Sequence, residues 1–309
     1  MTLTRRTILR AGAVLPVMVL PVLVLPVPVL PGSVQASPDR FVEAGAALEQ
    51  IARDLGGRVG VTVLDTGGGP SLQLAADAAF PLCSTFKLLL AAAILARVEA
   101  GQDQLDRRIA YTAADLDVYA PITGGALKEG GPEAGAMSVA ALCAAAMVWS
   151  DNTAANLLLE ALGGPAALTA YCRSLGDSVT RLDRTEPNLN SAEPGDPRDT
   201  TRPAAMAATV RTILLGDALT PGSRARLEGW MTAARTGTMR LRAGLPGDWG
   251  VGDKTGSGAY GTANVVAILR PPARPPLIAA LYLTGSTASA EGRDAAHAAI
   301  GRVIATAYG

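Results

Sequence analysis

Histidine is almost absent from this 309-residue chain: His297 stands alone. Cysteine occurs three times, as Cys83, Cys143 and Cys172. Lysine also occurs three times, as Lys87, Lys128 and Lys254, among 27 basic residues. Each shortage excludes something. One histidine, with no cysteines at ligand spacing, argues against a zinc site, so no metal or cofactor is expected. An odd, small cysteine count argues against a disulfide scaffold; all three thiols are expected to be free, with Cys83 a small packed residue. A Ser-His-Asp hydrolase would have to use His297, which lies in an alanine-rich terminal stretch and reads as a helix-face residue. Aromatics are only 4% against 49% apolar residues, a balance that fits helices packed on small side chains better than an aromatic-rich sandwich. Acidic and basic residues number 27 each, and nothing in that balance suggests a nucleic-acid or membrane-surface partner.

The N-terminus is rich where the rest is not. "MTLTRRTILR" pairs Arg5 with Arg6, a long apolar stretch follows, and "SVQA" closes it before Ser37. Charged start, apolar middle and small-residue end read as an export signal over 1–36, of the twin-arginine type and cut after Ala36. Pro16, Pro21, Pro26 and Pro28 argue against a retained membrane anchor. The mature chain is then a soluble periplasmic or secreted protein with a small acidic excess.

Beyond residue 40 the pattern gives an order of elements. "RFVEAGAALEQIARD" has helical spacing, "GRVGVTVLDT" alternates as a strand, and "SLQLAAD" reads as its hairpin partner. Helical patterns then run from Pro81 to about residue 230, broken by the proline-rich loop "DRTEPNLNSAEPGDPRD". "WGVGDKTGSG", "GTANVVAILRPP" and "PLIAALYLTGS" read as strands, and a last helix follows. Such segregation predicts an α+β fold. The expected architecture is a five-stranded antiparallel sheet with flanking helices, formed by 37–80 and 231–309. An all-helical domain, 81–230, is inserted, and the active site lies at their interface.

Four stretches carry chemistry. In "STFK", Ser84 falls in the first turn of a helix and Lys87 projects from the same face one turn on. A serine needs a neighbouring proton acceptor to become a nucleophile. A buried lysine can shed its proton where arginine cannot, which explains a rare lysine here. In "WSDNTAAN", Ser150, Asp151 and Asn152 make a polar turn opening a helix; alone, they read as ordinary caps. In "GDKTGSG", Lys254 and Thr255 lie on a strand beside Gly256 and Gly258, and glycine in a strand often marks a close approach by a ligand. In "RTEPNLN", Pro187 holds Glu186 extended, and Glu186 with Asn190 makes a suitable holder for a water molecule.

In this order, S-x-x-K, S-D-N, E-P-x-L-N and K-T-G resemble class A β-lactamases of the wider penicillin-binding superfamily, over about residues 40–309. The resemblance implies hydrolysis of a β-lactam ring through an acyl-enzyme on Ser84. Lys87 would help remove the serine proton, the acylation base being either Lys87 or Glu186 through a water, and Glu186 with Asn190 would hold the deacylating water. Ser150 would pass a proton to the lactam nitrogen, with Lys254 beside it. Asn152 would contact Lys87 and substrate, Thr255 and Ser257 would bind the substrate carboxylate, and backbone N–H groups of Ser84 and Ser257 would hold the oxyanion. Tyr119 matches an aromatic lining position. The strand arginine that often steers the carboxylate is replaced by Ala263, and Arg240 is the candidate substitute. The family's two known disulfide pairings would need partners where Gly258 and Ala91 stand, so neither Cys83 nor Cys143 can form them. The segment containing Lys128 is longer than usual. The implied partner is a small β-lactam, and the implied state a monomer. The competing readings are a D,D-peptidase, from which Glu186 distinguishes the hydrolase, and a non-catalytic β-lactam sensor.

Overall fold

The computed structural model describes residues 38–131 and 134–309; the expected export signal lies outside them. In chain order the elements are α1 (Pro38–Leu55), β1 (Arg58–Asp65), β2 (Leu72–Leu74), β3 (Phe80–Pro81), α2 (Phe86–Glu99), β4 (Arg108–Ala110), α3 (Thr123–Glu129) and β5 (Ala136–Ser138). They continue with α4 (Val139–Val148), α5 (Asn152–Leu162), α6 (Pro165–Ser174), β6 (Thr200–Thr201), α7 (Pro203–Leu215) and α8 (Pro221–Thr232). The chain ends with β7 (Gly250–Gly258), β8 (Thr262–Arg270), β9 (Leu277–Thr284) and α9 (Ala290–Tyr308).

Five strands form one antiparallel sheet in the order β2-β1-β9-β8-β7, joining the first hairpin to the last three strands as expected. Side chains alternate between its faces. Val59, Val61, Val63, Val265, Leu281 and Leu283 point to one face and pack with Leu48, Ile300, Ile304 and Tyr308 of α1 and α9. Ile268, Ile278 and Tyr282 point to the other, where α7 and α8 lie. Behind them α2 is enclosed by α4, α5, α6 and α8. Every residue from Phe86 to Leu95 is buried, which is why this stretch is apolar all round instead of striped.

Local chemistry sets the boundaries. Ser138, Asp151, Thr220 and Ser289 each accept a backbone N–H with their side chains at a helix start. Proline occupies the first turn of α6, α7 and α8, where its missing N–H costs nothing. Two short strand pairs depart from the expected all-helical 81–230: β4 pairs with β5, and β3 with β6. These pairs are two or three residues long, too short for alternation to register in the sequence.

Candidate active site

The nucleophile candidate sits in a short 3-10 turn, Cys83–Thr85, that leads into α2, and not in the α-helix itself. Cys83 takes a left-handed φ of 43°, and Ser84 is buried behind it. Gly256 explains how β7 passes so close. A Cβ there would lie 3.0 Å from Leu82 O and 3.1 Å from Ser84 N. The strand glycines therefore mark the approach of another backbone segment. At Gly258 a Cβ would lie 2.7 Å from Cys83 Sγ, so Cys83 faces the position that lacks a partner. All three cysteines are free and buried. Burial raises their thiol pKa values, to about 12 for Cys143 and Cys172.

Ser84 and Lys87 meet through a third residue. The Ser84 hydroxyl donates to Glu186 Oε1 at 2.8 Å, and Lys87 Nζ lies 3.0 Å from the same oxygen. The Lys87 and Glu186 side chains are fully buried. Lys87 also donates to Ser150 O at 2.7 Å and to Asn152 Oδ1 at 2.6 Å. Burial pushes its amine below the usual lysine range, while Glu186 pulls it back up. A pair so buried is costly to assemble and costlier to break, because removing one member strands the other.

The turn between α4 and α5 supplies the next groups. Ser150 has a left-handed φ of 60°. Asp151 caps α5 at Ala154 N and also accepts from Ile122 N, Thr123 N and the Thr123 hydroxyl, so it anchors a neighbouring loop as well as a helix. Lys254 of β7 donates to Ser150 Oγ at 3.0 Å. Burial and the nearby Lys87 charge push Lys254 well below the usual lysine range. Ser150 thus lies between two amines, with Lys87 Nζ at 3.4 Å from its hydroxyl.

The loop from Asp183 to Asp199 brings in the carboxylate. Arg184 Nε donates to Asp199 Oδ2 at 2.6 Å, and Asp199 Oδ1 accepts from the backbone of Asp183 and Arg184, closing the neck. Asn156 then holds Glu186 by both backbone groups, accepting from its N and donating to its O, each at 3.0 Å. The Glu186–Pro187 peptide is cis. Asn190 donates to Glu186 Oε2, and its own Oδ1 is buried without a hydrogen-bond partner among the described residues.

The free edge of β7 completes the cleft. Thr255 Oγ1 is 2.6 Å from Thr236 Oγ1. Arg240 Nη2 donates to Ser257 Oγ at 2.8 Å, while its Nε donates to Asp294 of α9 and its Nη1 to Gly256 O and Asn264 O. Tyr119 joins through its backbone: Asn152 N donates to Tyr119 O at 2.9 Å, and the ring is half exposed. Lys128 is exposed on α3. His297 is buried on α9 with Nε2 3.2 Å from Ala263 O, on the far side of the sheet from the serine.

Ser84, Lys87, Ser150, Asn152, Glu186, Asn190 and Lys254 therefore form one hydrogen-bonded cluster. Thr255, Ser257 and Arg240 form a second group along the adjoining edge. Sequence reasoning missed Asn156, whose signal was its place four residues after Asn152 on the same helix face. It also missed Asp117, which accepts from Asn152 Nδ2 at 2.9 Å. No group of potential metal ligands occurs among the described residues.

Two rare lysines, two serines and a carboxylate are thus buried together on an α+β scaffold. Comparison with known proteins names the class. The profile of the beta-lactamase enzyme family matches residues 43–308. β-Lactamase CTX-M-6 of Salmonella typhimurium is 45% identical over 257 residues, 83% of this chain and 86% of its own. β-Lactamase AST-1 of Nocardia asteroides is 47% identical over 254 residues, 82% and 80% of the two chains. Among solved structures, an ancestral class A β-lactamase is 57% identical with a TM-score of 0.81, covering 84% of this chain and 98% of its own. The chain belongs to the beta-lactamase enzyme family, within class A.

Proposed function

We propose that this enzyme hydrolyses penicillin- and cephalosporin-type β-lactams through an ester on Ser84, with Glu186 as the base in both halves of the reaction. The observation that carries this reading is the 2.8 Å hydrogen bond from the Ser84 hydroxyl to Glu186 Oε1. Glu186 accepts the serine proton as Oγ bonds to the lactam carbonyl carbon. The developing oxyanion rests on the N–H groups of Ser84 and Ser257. The lactam C–N bond then breaks as Ser150 gives its proton to the departing nitrogen, and the proton held by Glu186 passes through the Lys87 amine, 3.0 Å from Glu186 Oε1 and 3.4 Å from Ser150 Oγ, to restore the Ser150 hydroxyl and leave Glu186 ionised. The ester oxygen carries no hydrogen, so Glu186 loses its donor and is free to accept from water. Asn190, already bonded to Glu186 and with its Oδ1 unpaired among the described residues, orients that water. Attack by the water releases the acid and returns a proton to Ser84.

Thr255 and Ser257 hold the substrate carboxylate, with the Arg240 charge behind them. Asn152 and Tyr119 face the acyl side chain. On this reading the sheet part, 37–80 with 231–309, and the helical part, 81–230, meet at the cleft. The protein is exported through the signal in residues 1–36 and acts as a monomer.

A time course with a chromogenic cephalosporin tests the central step. Wild type should turn over steadily. Glu186→Ala should acylate slowly and then stall, with the adduct visible by intact mass. Steady turnover by Glu186→Ala near the wild-type rate would remove Glu186 from the mechanism. No hydrolysis of any β-lactam by wild type would favour the peptidase or sensor.

A further inference from the structure

One rank of residues runs straight across the sheet beneath the nucleophile turn. Gly60 of β1 pairs with Tyr282 of β9, Tyr282 with Asn264 of β8, and Asn264 with Gly256 of β7. Directly paired residues share a face. The segment from Phe80 to Thr85 lies along that rank. The Phe80 ring fills the space that a Cβ on Gly60 would occupy, and its centroid is 6.0 Å from that of Tyr282. Asn264 Nδ2 donates to Pro81 O at 2.9 Å and to Leu82 O at 3.2 Å. The Tyr282 hydroxyl is 3.2 Å from Thr85 Oγ1, which itself donates to Leu82 O. At the end of the rank, Gly256 admits Leu82 O and Ser84 N.

We propose that Asn264 is a positioning residue for the oxyanion hole, acting by clamping the two peptide planes before Cys83. This rests on the oxyanion assignment made above. The planes of peptides 81–82 and 82–83 are each held at the carbonyl by the same amide. Only the Cys83 dihedrals then remain between the clamp and the Ser84 N–H. Cys83 has a left-handed φ, so a small rotation there redirects that N–H. Asn264 is itself fixed. It is fully buried, Leu283 N donates to its Oδ1, and its backbone carbonyl accepts from Arg240. Leucine or valine at this position would continue the apolar pattern of β8, but would take the amide donor from Pro81 O and leave Leu82 O held by Thr85 alone. Asn264 touches neither substrate nor reacting atoms in this account. Its effect passes through the direction of one backbone donor, where an error of an ångström costs up to about a hundredfold in rate.

The test separates aim from stability. Asn264→Ala removes both donors, and Tyr282→Phe removes a neighbouring hydroxyl that does not touch the clamped carbonyls. Each variant is assayed for thermal midpoint, for kcat and KM with benzylpenicillin, and for inhibition by an arylboronic acid. The boronate adds to the serine oxygen and sets a B–O oxygen where the oxyanion forms. For Asn264→Ala, kcat should fall about ten- to hundredfold, boronate affinity should fall in step, and KM should change less than about threefold. Tyr282→Phe should lower the thermal midpoint while keeping kcat and boronate affinity. If Asn264→Ala lowers only the midpoint, with kcat and boronate affinity intact, Asn264 is structural and the inference fails. Should Asn264→Ala not fold, Asn264→Ser, which keeps one short donor, must still show reduced kcat at near-constant KM, or the inference is wrong. A wild type that hydrolyses β-lactams yet resists the boronate would overturn the serine–oxyanion reading first, and this inference with it.

Discussion

The two faces of the five-stranded sheet are made from alternate residues of the same strands, yet they do opposite things. Towards α1 and α9 the strands present Val59, Val61, Val63, Val265, Leu281 and Leu283, all buried among aliphatic partners. Towards the cleft they present Gly60, Tyr282, Asn264, Gly256 and Lys254, which hold a polar turn and a buried amine. Of the seven non-glycine residues with positive φ among the described residues, Cys83, Ser150, Ala192, Asp199 and Tyr260 lie in segments that frame the cleft, while Ala75 and Ala273 lie in turns elsewhere. Such conformations cost of order 1–3 kcal/mol each and persist where surrounding structure imposes them. The apolar face therefore supplies stability that the cleft face consumes. Because strand periodicity is two, a one-residue slip would exchange the two sets, and the apolar face fixes the register that puts Lys254 and Asn264 where they are.

The sharpest way to break this comparison is to make matched deletions on the two sides. Ser84→Ala should lower kcat/KM by at least about 10⁴-fold, because the turn's other hydroxyl, that of Thr85, is buried and committed to Leu82 O, and it should leave the thermal midpoint unchanged or raised. A midpoint that falls with activity would mean the cleft contributes to stability after all. On the opposite face, Leu281→Ala should cost about 2–5 kcal/mol in chemical denaturation, with kcat and KM unchanged while the protein is folded. A drop in kcat from Leu281→Ala would show that the faces are not separable.

A third prediction uses the one histidine. His297 is buried against β8, and its pKa is pushed down from 6.5 to about 3 by burial first and the Arg240 charge second; its bond to Ala263 O opposes the shift. A depressed native pKa means that the unfolded chain binds the extra proton as pH falls below 6.5. The associated stability is complete above 6.5 and is lost as pH drops towards 3, by about 1.4 kcal/mol per pH unit. Between pH 6.5 and 5 most carboxylates are still ionised, so the slope there belongs largely to His297. His297→Gln should flatten the dependence of unfolding free energy on pH over that interval. An unchanged slope would show that the imidazole titrates normally in the fold.

The division between faces also explains what the sequence made legible. Valine and leucine alternation marked the strands of the apolar face, and helical phase put Ser84 near Lys87 and Asn152 in a capping turn. The K-T-G glycines announced a close approach, although the visitor is the Pro81–Thr85 backbone. Two kinds of information were hidden. One was register: Gly60 and Tyr282 are paired across more than two hundred residues, and no local pattern predicts which rank lies beneath the nucleophile. The other was the direction of buried hydrogen bonds. Spacing put Lys87 beside Ser84 but gave no sign that the hydroxyl would turn to Glu186, since that depends on how Arg184, Asp199 and Asn156 close a distant loop. Asn264 lay within a stretch read only as a strand, and Asp151 looked like a simple cap.

The smallest expected effect concerns Arg240, the residue that joins the two sides. Asp294 of α9 holds its Nε, two strand carbonyls hold Nη1, and Nη2 donates to Ser257 Oγ. Bonds to four partners fix this guanidinium in place, so it can act on a substrate carboxylate through its charge and through Ser257. By donating to Oγ, Arg240 fixes Ser257 as an acceptor on that side and leaves its O–H free to point along the edge of β7. Arg240→Ala should therefore raise KM for a penicillin about three- to tenfold with little change in kcat, and Ser257→Ala should do nearly the same. The double variant should be no worse than the more severe single one, because both remove the same donor. Arg240→Lys should recover little, since one ammonium cannot span Asp294, two carbonyls and a hydroxyl at once. Additive effects in the double variant would mean that Arg240 acts on the carboxylate by charge alone, independently of the hydroxyl it touches.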